Sequence, residues 1–82
     1  MHALMLLEQN LSLGFGFSPL HVSAYVDNVA VLNVLLEDGR LPVDVLSNDG
    51  QTSLHLAARY GSYQCVKALL RHGADASIVY NG

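Results

Sequence analysis

Thr52-Ser53-Leu54-His55, followed by Ala58, Leu69-Leu70 and Gly73, restates at a constant distance of 34 residues a pattern already written as Ser18-Pro19-Leu20-His21, Ala24, Leu35-Leu36 and Gly39. Gly16 and Gly50 keep the same register. A period in the twenties to forties marks a stacked-repeat protein, in which each unit buries its apolar face only against its neighbours and the stack offers an extended surface. That points to binding rather than catalysis.

Eighty-two residues allow one small domain at most, and a single core of that size needs staples or a partner surface to be more than marginally stable. The one cysteine, Cys65, cannot form an internal disulfide, and a lone thiol fits a reducing compartment, the cytosol or nucleus. The net charge of −3 is assembled from few charges, with only Arg40, Arg59, Lys67 and Arg71 positive. There is no basic stripe to drive nucleic-acid binding. A hydrophobic share of 51% beside 13% charged residues is high for a free-standing soluble domain, which predicts apolar surface that wants a neighbour. The apolar start, Met1 to Leu7, lacks a basic leading segment and meets Glu8 too early for a signal peptide or membrane span, so it reads as a helix.

In the second copy, Asp49-Gly50 supplies a turn and the Thr52 hydroxyl suits a helix cap before the run Leu54 to Ala58. Gly61 ends that helix after Tyr60, and Val66, Leu69 and Leu70, at i, i+3 and i+4, share the inner face of the next. That places Cys65 and Ala68 on its outer side, with Cys65 a small semi-buried hydrophobe. In the first copy Pro19 opens the helix where its missing N–H costs nothing, and Leu32, Leu35 and Leu36 form the inner stripe. Asp27-Asn28 stands where the second copy has Gly61; both residues visit the left-handed region readily, so the helix–turn–helix survives. The predicted helices span 1–9, 19–26, 29–38, 53–60 and 63–72, with little or no sheet. Ala3, Leu6, Leu7 and Asn10 overlay Leu32, Leu35, Leu36 and Gly39 at an offset of 29, as the second helix of an earlier unit would. Asn81-Gly82 is placed like Asp49-Gly50, so both ends read as cut from a longer array.

Residues 48–75, with Asp49-Gly50, Thr52-Ser53-Leu54-His55, Ala57-Ala58, Gly61, Val66, Leu69-Leu70 and Gly73-Ala74-Asp75, closely resemble an ankyrin repeat. Residues 15–39 resemble a more degenerate one, with Ser23 for the first alanine, Asp27 for the inter-helix glycine and, in the second copy, Ser53 for proline. The resemblance implies an all-α solenoid of antiparallel helix pairs with projecting β-hairpin-like turns, divided as a half repeat 1–14, a degenerate repeat 15–47, a well-matched repeat 48–80 and the start of a next turn at 81–82. It implies a binding scaffold without a catalytic site, cofactor or metal.

The chemistry-bearing residues agree. His21 and His55 recur, but one histidine per unit without a second ligand at i+3 or i+4 is no zinc site. The resemblance instead gives each a side-chain to backbone hydrogen bond at its turn. His2 and His72 read as solvated or as helix-end cations. Cys65 has no neighbouring Cys or His to activate it. Gly14, Gly16 and Gly50 make no phosphate loop, and Asp44, Asp49 and Asp75 are too dispersed for a calcium loop.

By the same resemblance, the concave face carries Asn48, Asp49, Gln51, Arg59 and Tyr60 in the second unit and Phe15, Phe17, Tyr25 and Val26 in the first, with Phe15 and Phe17 open to a core role as well. Tyr and Arg are frequent interface anchors. The expected function is capture of a partner protein in the concave groove, with no nucleic acid or membrane; the alternative is a structural piece stacking on further repeats, or self-associating, through its end faces.

Overall fold

The computed structural model describes residues 16–80. They form four helices, α1 (Pro19–Tyr25), α2 (Val29–Asp38), α3 (Ser53–Arg59) and α4 (Tyr63–Arg71), and no strand is present among the described residues. All four match the predicted helices to within a residue; the helix expected at 1–9, Phe15, and the turn at Asn81-Gly82 lie outside the described residues.

Each unit begins with the same capping device. Ser18 is extended (φ −80°, ψ 168°), its hydroxyl accepts the His21 N–H at 3.3 Å, and the Ser18 N–H donates to His21 Nδ1 at 3.0 Å. Thr52 and His55 repeat it at 3.2 and 2.9 Å. A capping box ordinarily uses Glu or Gln at its third helical position; here histidine returns the bond, satisfying the helix's orphan donor and the cap's own N–H together. Because Nδ1 accepts, Nε2 carries the proton, and it donates to the Gln51 carbonyl from His21 and to the Ile78 carbonyl from His55, both at 2.8 Å. His21 thus ties its own helix start to the finger of the next unit, and His55 ties its own to the segment that follows α4. The expected turn-serving role is what the structure shows.

Between helices the chain must turn in three residues. Asp27 takes the left-handed conformation (φ 56°), as Gly61 does (φ 70°) in the second unit, so a carboxylate residue fills a position that favours glycine. Asn28 then caps α2, its Oδ1 accepting from Val31 N at 3.2 Å.

Inner helices α1 and α3 pack side by side, as do outer helices α2 and α4, around a core of Leu20, Ala24, Leu32, Leu36, Ala57, Cys65, Ala68 and Leu69. Its small members let the backbones approach, and Leu32 and Leu69 fill the space between the outer helices. This corrects the stripe read from the sequence. Cys65 and Ala68 are wholly buried, whereas Leu70 is 49% exposed. On α4 the residues at 65, 68 and 69 face α2 and the preceding unit; Leu70, 100° further round, occupies the place that in the first unit is Leu36, which is buried in the core. Val66 and Leu35 are partly buried against the core, as their stripe positions require. Ser53, standing where the first unit has proline, is fully buried with its hydroxyl unpartnered, a polar cost that proline would not carry.

Burial holds the His21 imidazole below its ordinary pKa, with the Gln51 carbonyl and Asp49 opposing that shift less strongly. Protonation would place a second N–H on Nδ1, against the Ser18 N–H it now accepts. A histidine whose folded pKa is depressed binds fewer protons folded than unfolded, so its contribution is fully present above about pH 6.5 and is lost as pH falls below that value. The melting temperature is therefore expected to fall between pH 7 and pH 5. His21→Gln should melt lower at pH 7 and change less over the interval; a slope as steep as that of the unsubstituted chain would contradict this role.

Candidate functional site

Residues 47–51 form the finger between the units. Ser47 N donates to the Gln51 carbonyl at 2.9 Å and Gly50 N to the Ser47 carbonyl at 3.0 Å, a tight hairpin-like turn with Asp49 at its tip. The Asp49 carboxylate collects three donors: the Ser47 hydroxyl on Oδ1, and Gln51 Nε2 at 3.0 Å and the Tyr80 hydroxyl at 3.1 Å on Oδ2. The Ser47 hydroxyl above all, then the Tyr80 hydroxyl and the Gln51 amide, hold it below the usual carboxylate range, so it is ionised at neutral pH. Tyr80 responds in the opposite sense: desolvation first, then the Asp49 charge, raise its phenol.

Beside the finger, the C-terminal ends of α1 and α3 bring Tyr25 and Tyr60 edge to face, with centroids 4.8 Å apart and planes at 84°. The Arg59 guanidinium carbon lies 5.6 Å from the Tyr80 ring centroid, and Tyr80 also leans on His55 at 5.8 Å. Phe17 stacks on His21 at 5.4 Å. Phe17, Tyr25, Asp49, Arg59, Tyr60 and Tyr80 surround a hollow of about 270 Å³ into which Gln51 and the nearly buried Leu56 also face.

Setting aside Phe15 and Phe17, for which a core role was open, five of the seven residues expected on the concave face line this hollow: Tyr25, Asp49, Gln51, Arg59 and Tyr60. Gln51 is not the exposed contact that was expected; only 4% of it is accessible, and its amide steadies Asp49, leaving Oε1 unpartnered. Val26 is exposed at the end of α1 and does not line the hollow. Neither does Asn48, whose amide lies so close over Gly16 that a Cβ there would collide with it. Phe17, open to a core or a binding role, stacks on His21 and lines the wall of the hollow. Sequence reasoning did not find Tyr80 or Leu56. For Tyr80 the signal was present: it precedes Asn81-Gly82 as Asn48 precedes Asp49-Gly50, a finger-tip position. Leu56 gave none, since a leucine in a short amphipathic helix reads as core.

Among the described residues no group of three or more His, Cys, Asp or Glu side chains is placed to hold a metal, and no helix is long and apolar enough to cross a membrane. Burial, reinforced by the nearby Asp27 charge, pushes the Cys65 thiol up to about 11, which leaves it protonated and unreactive at neutral pH.

Paired helices stacked at a fixed period, each histidine stitched to the next turn, define a helical repeat solenoid. The chain belongs to the ankyrin repeat family: residues 2–79 match the family model for ankyrin repeats, described as three copies. It is similar to palmitoyltransferase AKR1 of Eremothecium gossypii, 37% identical over 67 residues, covering 82% of this chain and 9% of that protein. Ankyrin repeat domain-containing protein 53 of Homo sapiens is 39% identical over 64 residues, 73% of this chain and 12% of its own length. A probable E3 ubiquitin-protein ligase of Oryza sativa subsp. japonica, XBOS31, is 47% identical over 60 residues, with 72% and 13% covered. The chain thus spans about a tenth of the length of these relatives, whose enzyme names belong to the whole proteins. Ankyrin repeats are protein-interaction modules, a fold without a catalytic centre of its own.

Proposed function

We propose that this chain is the interaction segment of an ankyrin array, divided as a half repeat 1–14, units 15–47 and 48–80 and the start of a next turn at 81–82, and that it captures a segment of a partner protein on its concave face. The observation that carries this reading is the hollow itself, where five residues assigned to binding meet. Tyr60, 53% exposed, Tyr25 and Arg59 are the anchors; Asp49 and Gln51, bonded to each other, form the finger beside them. Aromatic and arginine side chains around a concavity are the usual composition of an interface centre. A lone, buried, protonated thiol is compatible with the cytosol or nucleus, where the protein is proposed to act.

A photo-crosslinking residue placed at position 60 is expected to trap a partner that the same residue at position 34, on an outer helix, does not. The purified partner should bind Tyr60→Ala and Arg59→Ala at least about tenfold more weakly, as anchor truncation at an interface centre ordinarily does. Each variant gives up only the edge-to-face contact or the cation–π contact, about 0.5–1.5 kcal/mol of stability, so both remain folded. Unaltered affinity in both would overturn the concave assignment.

A further inference from the structure

We infer that the hollow receives an arginine side chain from an extended segment of the partner, a statement that rests on the concave-face reading above. Its walls are the rings of Tyr25, Tyr60, Tyr80 and Phe17, whose faces carry the negative end of the aromatic quadrupole. At the finger, Asp49 is ionised and exposed, and its Oδ1 takes a single donor, so the carboxylate keeps acceptor capacity. An incoming carboxylate or phosphate would meet that fixed negative charge. An aliphatic group would leave that capacity unused.

Arg59 does not fill this role. It lines the same hollow, but its guanidinium is engaged over the Tyr80 ring, which leaves the Tyr25–Tyr60 pair to the ligand. A hollow of about 270 Å³ suits one long side chain rather than a whole small molecule. Guanidinium is preferred to ammonium because its plane can lie along a ring while its edge presents parallel N–H groups to neighbouring acceptors. The chain's net charge of −3 draws a basic segment in the same direction.

The test is a titration of the whole chain, followed by NMR, with Nα-acetyl-arginine N-methylamide and the leucine and glutamate analogues. The arginine probe is expected to give saturable shifts of the Gln51 side-chain amide and of the Tyr25 and Tyr60 rings, with an apparent affinity roughly three- to fivefold above that of the leucine probe. Asp49→Asn should erase most of that preference, and because it also loosens the finger, Tyr60→Leu provides a second reading in which the finger is intact. Equal or tighter binding of the leucine or glutamate probe at the same residues overturns the arginine assignment and leaves the concave site standing. A preference for arginine that survives both substitutions overturns it too. Failure of the concave reading shows separately, as crosslinking of the partner away from position 60.

Discussion

Replacing Leu69 by alanine is expected to lower the unfolding free energy by about 2–5 kcal/mol, while the same change one residue on, Leu70→Ala, costs less than about 1.5 kcal/mol. Leu69 is wholly enclosed between the outer helices, so truncation removes its transfer free energy and opens a cavity that stacked helices cannot easily collapse. Leu70 is 49% exposed and already lies half in water. Alanine is at least as good a helix former as leucine, so neither loss can be ascribed to propensity. Denaturant melts of the two variants decide the matter: equal losses, or a loss at Leu69 below about 1 kcal/mol, would mean that the core is drawn on the wrong side of α4.

The helices were legible because their punctuation is local. Ser18-Pro19 and Thr52 mark starts, Gly61 and Gly73 mark ends, and the 34-residue period carries one unit's reading to the other, so that alignment with Gly61 is enough to assign Asp27 to the left-handed turn it occupies. The family pattern gave His21 and His55 a bond to backbone at the turn, but not its acceptors, the Gln51 and Ile78 carbonyls 30 and 23 residues away. What the sequence hid depends on which unit covers which. Helical periodicity gives the angle between Leu69 and Leu70 but not the direction of the neighbouring repeat, so Cys65 and Ala68 were set outside when α2 lies against them. The site divides in the same way. Tyr25, Arg59 and Tyr60 could be read from their place at helix ends. The Tyr80–Asp49 bond could not, because it joins residues 31 apart through the fold of two successive turns.

That dependence on neighbours gives the sharpest expectation. Ala68→Asp should prevent folding, whereas Val34→Asp, at the same place 34 residues earlier, should cost less than about 1 kcal/mol. Ala68 is fully enclosed, in contact with the cluster that holds Leu32 and Leu69; Val34 is 66% exposed on α2. A carboxylate at position 68 must either stay charged without a partner or be protonated, and keeping an ordinary aspartate neutral at pH 7 alone costs about 4 kcal/mol. A core of this size supplies roughly 3–5 kcal/mol in total, so the fold does not survive that cost. The raised pKa also fixes the sign of a rescue: the folded form would bind the extra proton, so Ala68→Asp should recover helical signal relative to Ala68→Asn as pH is lowered from 7 toward 4. Circular dichroism of the three variants reads this directly. A folded Ala68→Asp at pH 7, with a melt near that of Val34→Asp, would show that α4 does not pack on α2 through this face.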